Sequence, residues 1–168
     1  MPNYYVIDGY NVIHAWPEFE NIRETALDHA RDKLISIMAN FAAATESHVT
    51  VVFDAHLVKS GIEHMEKRFN IKVYYTSQGE TADALIERLV GELSLKGRVY
   101  VATSDWDEQR IIFGRGAYRL TPKELATLIK RIKKETRRHA ATDLPAEDYL
   151  ENRLQDEVRK KFEQWRRS

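Results

Sequence analysis

Cysteine is absent from the 168-residue chain, which excludes disulfides, zinc–thiolate sites and thiol nucleophiles at once. Long apolar runs are absent too. No stretch approaches the roughly 18 residues that span a bilayer, and residues 1–20 lack the basic start and apolar middle of a signal peptide. A cytoplasmic protein without a membrane partner is expected. Several nucleotide and nucleophile signatures are also missing. There is no Gly-x-x-x-x-Gly-Lys-Ser/Thr phosphate loop, no Gly-x-Gly-x-x-Gly after the first strand, and no serine in a nucleophile elbow. A haloacid-dehalogenase-type phosphatase would want a second acid two residues after Asp8, where Tyr10 stands. Six histidines are scattered without metal-ligand spacing. There is no internal repeat and no low-complexity tract.

What is present suits one globular domain. Hydrophobic residues make up 43% and charged residues 31%, enough for a sizeable core in one domain of 168 residues but not comfortably in two. The net charge of zero conceals an asymmetry. Residues 1–122 carry 13 Lys and Arg against 17 Asp and Glu, a balance of −4, and residues 123–168 carry 13 against 9, a balance of +4. An acidic front suits divalent cations and a basic tail suits polyanions, although charge scattered unevenly over solvated helices would give the same count.

Strand and helix periods alternate along the chain. Tyr4 to Ile7 is an apolar, β-prone run stopped at Asp8-Gly9-Tyr10-Asn11, the pattern of a buried parallel strand ending in a turn. Val12 to Pro17 reads as an aromatic loop held out of helix by Pro17. Residues 25–44 read as a helix with Leu27, Ala30, Leu34, Ile37, Met38 and Phe41 on its inner face, and Thr25 with Asp28 as its capping pair. Further strands are expected at Val49–Phe53, at Ile71–Tyr75 near a sheet edge, at Arg98–Thr103 and at Ala117–Leu120. Lys59 to Lys67 reads as an irregular loop or short helix. A helix carrying Leu85, Ile86, Leu89, Val90 and Leu93 ends near Gly97. A short helix follows through Gln109 and Ile112. Thr121-Pro122-Lys123-Glu124 is a strong helix start, with an N-cap, Pro at the first position and Glu at the third. That helix runs to about His139, and a last one carries Leu154, Val158, Phe162 and Trp165. The alternation predicts an α/β, three-layer domain with a mostly parallel central sheet. Residues 1–168 are expected to form one domain, with 121–168 as its basic C-terminal helical extension.

Three strand ends carry an acid, namely Asp8, Asp54 and Asp105, and Asp83 stands in the first turn of a helix. In a parallel sheet these ends share one edge, where ligands of α/β folds bind. Each has a local explanation: a turn at Asp8, a helix-terminal charge at Asp83, an N-cap at Asp105, a pairing with His56 at Asp54. Together they predict clustered carboxylates that a cation must neutralise. Oxygen ligands without cysteine suit Mg²⁺ or Mn²⁺, which activate water against a phosphodiester. Glu80 and Asp107 are weaker candidates.

Asp8-Gly9-Tyr10-Asn11, Val52-Phe53-Asp54-Ala55-His56, Glu80-Thr81-Ala82-Asp83 and Ala102-Thr103-Ser104-Asp105 resemble the NYN branch of the PIN-like nucleases. Over its whole length, including Glu108-Gln109 and Phe162-Glu163-Gln164-Trp165-Arg166-Arg167, the chain is similar to the YacP family of bacterial NYN proteins. The resemblance implies a Rossmann-like PIN fold and a metal-dependent endoribonuclease that cleaves messenger RNA in the A site of the translating ribosome, leaving 5′-phosphate and 3′-hydroxyl ends. It also implies that Asp8, Asp83 and Asp105 are catalytic and hold the metal, with Asp54 beside them. Asp107 is the available match to a further acid of PIN sites.

Around that centre, Asn11 is expected to orient a phosphate or a ligating water, and Arg115 and Arg119 to face the RNA backbone. Lys133, Lys134, Arg137 and Arg138, at 3–4 spacing in a basic helix, are expected to touch phosphates, most plausibly of ribosomal RNA. Each cation has a plain alternative as solvated surface. A monomer is expected. The rival functions are a non-catalytic RNA- or ribosome-binding module of the same fold, and a small-molecule phosphohydrolase using the same cleft.

Overall fold

The fold was described from a computed structural model, in which residues 1–22, 25–54, 64–77, 79–104, 116–142 and 160–161 are described. By compactness the chain divides into Met1–Ile132 and Lys133–Ser168. The first unit holds a six-stranded sheet built from β1 (Asn3–Asp8), β2 (His48–Phe53), β3 (His64–Arg68), β4 (Ile71–Tyr75), β5 (Arg98–Ala102) and β6 (Tyr118–Leu120). Its order is β3-β4-β2-β1-β5-β6, and only β3 runs antiparallel. The helices are α1 (Gly9–Ala15), α2 (Leu27–Thr45), α3 (Ala82–Leu93) and α4 (Pro122–Thr142), with a 3₁₀ turn at Pro17–Phe19. α4 continues into the second unit, where residues 160–161 are also helical.

Alternation along the strands builds two cores, one on each face of the sheet. On one face Tyr5, Ile7, Val49, Val51, Phe53, Ile71, Val73 and Tyr75 meet α1, α2 and the first turns of α4. On the other, Val6, Val52, Val99 and Val101 meet Ala82, Leu85, Ile86, Leu89 and Val90 of α3. This is the expected three-layer α/β arrangement. Each fully buried aliphatic or aromatic side chain stabilises the fold by about 1.5–3 kcal/mol. Tyr5 anchors the first core through an edge-on contact with Phe41 (5.0 Å) and a stack on Tyr100 (5.0 Å).

Strands β1, β2, β4 and β5 fall within one residue of their expected bounds, and Tyr118–Leu120 forms the expected short strand. β4 lies one strand in from the edge. Thr121 caps α4 as expected, its Oγ1 accepting from Glu124 N at 3.1 Å.

Three local expectations are corrected. Residues 12–15 are helical, because α1 starts directly after β1 and buries Val12 and Ile13. Pro17 ends that helix rather than preventing it, with Trp16 extended at its C-terminus. The Thr25–Asp28 cap is not used. Ala26 is the cap residue, and Thr25 Oγ1 instead donates to Asn21 O at 3.2 Å. Residues 64–67 form the edge strand β3 rather than a loop, since pairing with β4 satisfies their backbone while their polar side chains face solvent. The rest of the stretch expected to be irregular, 59–63, lies outside the described residues, as do the short helix near Gln109 and all of the last helix except residues 160–161.

No helix among the described residues is long and apolar enough to cross a membrane.

Candidate active site

The five parallel strands run in the order β4-β2-β1-β5-β6, so crossovers leave β1 in opposite directions and open a crevice at its C-terminal end. Asp8 occupies that end. Its backbone (φ −74°, ψ 98°) caps α1, yet its side chain makes no capping hydrogen bond, so the carboxylate is not consumed in closing the strand. Asp8 Oδ2 instead accepts from Thr103 Oγ1 at 3.4 Å, across the crevice. Gly9 lets α1 start against the sheet. A Cβ there would stand 2.3 Å from the Phe53 ring, and no side chain fits.

Asp8, Tyr10, Asn11, His14, Asp54, Ala82 and Asp83 line one open hollow of about 310 Å³. Three of the four favoured acids are thus brought together from three elements: the end of β1, the residue after β2 and the first turn of α3. Thr81 caps α3, accepting from Ala84 N at 3.2 Å, and Asp83 lines the hollow from the first turn, near the helix's positive end. The donors fit a hard divalent cation in kind, being carboxylate oxygens without thiolate. Among the described residues, however, no group of three or more His, Asp or Glu is gathered closely enough to hold an ion. Asp105 and Asp107 lie outside the described residues, as does Arg115.

Asn11 is held at the β5 exit through its side-chain oxygen. Its Oδ1 accepts from both the backbone N and the Oγ of Ser104, each at 2.9 Å, so the oxygen pins the exit of β5 and only the amide N–H groups remain to face a ligand. Glu80 does not line the hollow, for its carboxylate pairs with Arg88 (3.3 Å) and accepts from Ser77 (3.4 Å). Arg119 lies exposed on β6, two strands from β1, and Lys133, Lys134, Arg137 and Arg138 are exposed on α4 in the second unit.

Two lining residues were not singled out from the sequence. Tyr10 and His14 stand four apart on α1, with Asn11 between them at helical spacing, a signal hidden by reading that stretch as a loop. Tyr10 packs on Phe53 (5.1 Å), and its hydroxyl accepts from Arg31 at 3.0 Å. Burial pushes the Tyr10 hydroxyl above its ordinary pKa, the Arg31 bond and charge oppose this, and the Asp54 charge adds to the rise. The hydroxyl therefore stays protonated beside the acids.

Comparison with known proteins agrees with this fold. The model of the YacP-like NYN domain matches residues 5–167. YacP of Bacillus subtilis strain 168 is 39% identical over 163 residues, which cover 96% of this chain and 95% of that protein. The crystal structure of Rae1 (YacP) from Bacillus subtilis superposes with a TM-score of 0.73 at 38% identity, covering 98% of this chain and 94% of that one. The crystal structure of a tryptophan-to-leucine point mutant of that Bacillus subtilis protein gives 0.71 at 35% identity over 88% and 90%. The chain belongs to the YacP-like NYN domain family, a family of nucleases.

Proposed function

We propose that this protein is a divalent-metal-dependent endoribonuclease that cleaves messenger RNA in the A site of the translating ribosome and so contributes to mRNA decay in the cytoplasm. The observation that carries the reading is the sharing of one hollow by Asp8, Asp54 and Asp83 at the point where the strand order reverses. Asp8, Asp83 and Asp105, with Asp54 beside them, are the residues proposed to hold Mg²⁺ or Mn²⁺. When bound, such an ion supplies Lewis acidity and neutralises charge at a phosphodiester.

The chain's own residues set the stage for that chemistry. Asn11 and Thr103 tie the ends of β5 and β1 together, fixing Asp8 relative to the β5 exit. The Asn11 amide N–H groups suit a phosphate oxygen. Tyr10, held protonated and accepting from Arg31, has its own O–H available to donate. Arg115 and Arg119 are proposed to meet the RNA backbone, and Lys133, Lys134, Arg137 and Arg138 to meet ribosomal RNA. The protein is proposed to act as a monomer.

Mapping 5′ ends on one reporter RNA tests this, with and without translation, for wild type and Asp8→Asn. Wild type should cut only during translation, lose activity in EDTA and regain it with Mg²⁺ or Mn²⁺, and Asp8→Asn should not cut. Full activity after exhaustive chelation, or in Asp8→Asn, refutes the site and its metal. Metal-dependent cutting of free RNA leaves the nuclease and removes the ribosome from the proposal.

A further inference from the structure

The β3–β4 hairpin presents two faces of different chemistry. On the face shared with α2, His64 stacks on Tyr75 (4.6 Å) and Arg68 pairs with Asp32 of α2 (3.2 Å). The opposite face, shared with α3, carries Met65 and Lys67 from β3 and Lys72 and Tyr74 from β4, with no acid among them. Strand register places this face relative to the active site. Asp8, Val52, Tyr74 and Met65 are successive partners across β1, β2, β4 and β3, so they form one row on one face. The next row on that face, two residues further from the active-site edge, is Val6, Thr50, Lys72 and Lys67. Two strand spacings separate Asp8 from Tyr74, about 10 Å.

Three features of this surface cost the fold something and return nothing visible within it. Lys67 and Lys72 are directly opposite across the strand pair and both are exposed, a like-charge pairing that destabilises a sheet. Protection of an open edge accounts for a lysine on β3. It does not account for Lys72, because β4 is an interior strand. Met65 is 45% exposed in the row that leads to Asp8. Phe69, at the hairpin tip, is 75% exposed and holds φ at 56°, a backbone region that bulky side chains avoid and that Asn or Gly adopts at low cost. Local rules broken without a structural gain mark a functional surface.

We propose that this face of the hairpin binds the single-stranded RNA segment that adjoins the scissile phosphate, with Lys67 and Lys72 on the phosphates and Phe69 stacking a base. This rests on the RNA-cleaving function proposed above. Val52, between Asp8 and Tyr74 in that row, is fully buried beneath α3, so the RNA passes from Asp8 over α3 and then meets Met65, the lysine pair and the tip. Paired cations with an exposed ring suit single strands, whose bases are free to stack and whose backbone needs only charge. The like-charge cost between the lysines is relieved when a phosphate lies between them.

The experiment measures anisotropy of a fluorescein-labelled single-stranded decaribonucleotide over a salt series, in an Asp8→Asn background to prevent cleavage. Lys67→Gln/Lys72→Gln should weaken binding and flatten the slope of log affinity against log salt by about 1.4, two contacts at about 0.7 each. Its melting temperature should equal or exceed that of the parent. Lys67→Arg/Lys72→Arg should bind as the parent does. Phe69→Asn should lower affinity on the order of tenfold with the slope unchanged. Unchanged affinity and slope in the Gln pair, while the parent binds RNA, overturn the hairpin surface and leave the nuclease reading standing. A parent that binds no RNA at any salt overturns the hairpin surface as well, while the nuclease reading is decided by the translated-reporter assay alone.

Discussion

Gly9→Ala offers a test of the packing that places Asp8, Tyr10 and Asn11. The added Cβ would lie 2.3 Å from Phe53 Cε1, 2.6 Å from Cδ1 and 3.0 Å from Cζ. Carbon atoms in contact sit at about 3.5–4.0 Å, so the shortest approach is more than an ångström too close. Phe53 cannot step aside easily. Its ring is fully buried, with Tyr10 at 5.1 Å and Tyr75 at 5.7 Å. Two effects compete. Alanine is favoured over glycine by up to about 1 kcal/mol in a helix interior, and less at a first position such as this one. Overpacking a core costs about 1–3 kcal/mol. The steric term wins, and a net loss of about 2 kcal/mol is expected, which lowers the melting temperature by about 4–8 °C in a chain of this size. Urea and thermal unfolding measure it. A Phe53→Leu background should shrink the penalty, giving a coupling energy between positions 9 and 53. Since α1 must shift, cleavage should fall as well. A Gly9→Ala protein that melts at or above the wild-type temperature refutes this account of how the strand hands over to the helix.

Asp83→Asn should abolish cleavage while the melting temperature holds or rises, because one negative charge leaves a hollow lined by three acids; wild-type turnover with metal present would remove Asp83 from the site. Replacing Lys133, Lys134, Arg137 and Arg138 with Gln should weaken ribosome or RNA association and flatten its salt dependence by about 0.7–0.9 per lost phosphate contact. An unchanged slope in filter binding would make that stretch of α4 plain solvated surface. Burial raises Tyr5, Tyr10 and Tyr75 above their ordinary value of 10.0, so the folded state holds these protons more tightly than the unfolded chain. Their stabilising contribution is full below that value and is lost as pH climbs through the raised values. Urea midpoints should fall in strong alkali, less so in Tyr10→Phe, and equal falls in the two proteins would exclude Tyr10 as a contributor.

Much of this architecture was legible because buried parallel strands announce themselves. Val49–Phe53 and Arg98–Ala102 are apolar on both faces, and each is followed by polar residues at the sheet's ligand-binding edge. The shared edge of Asp8, Asp54 and Asp83 followed from the same logic, since parallel strands end together. β3 was not legible. His64-Met65-Glu66-Lys67-Arg68 buries almost nothing, and only pairing with β4 makes it a strand. α1 was hidden for a different reason. Seven residues are too few to show a helical period, and Pro17 drew the boundary in the wrong place. With α1 unseen, Tyr10 and His14 had no reason to share a site. The contact between Asn11 and Ser104 was not visible, because the two are 93 residues apart.

The strand order also fixes when the candidate site can exist during synthesis. The chain emerges from its N-terminus, and β1 can find β2 and then β4 and β3 once Tyr75 has been made. Until Arg98–Ala102 follows, the other side of β1 is an open edge, with unpaired N–H and C=O groups beside the nascent carboxylate of Asp8. A chain halted before β5 therefore carries four of the six strands and no crevice. Parallel pairing across so long a separation is slow, and the exposed edge invites wrong partners meanwhile. The same order delays the proposed activity. Asp8 is made first, but the wall that Thr103 and Ser104 build beside it arrives about a hundred residues later, so a partly made chain has no assembled candidate site.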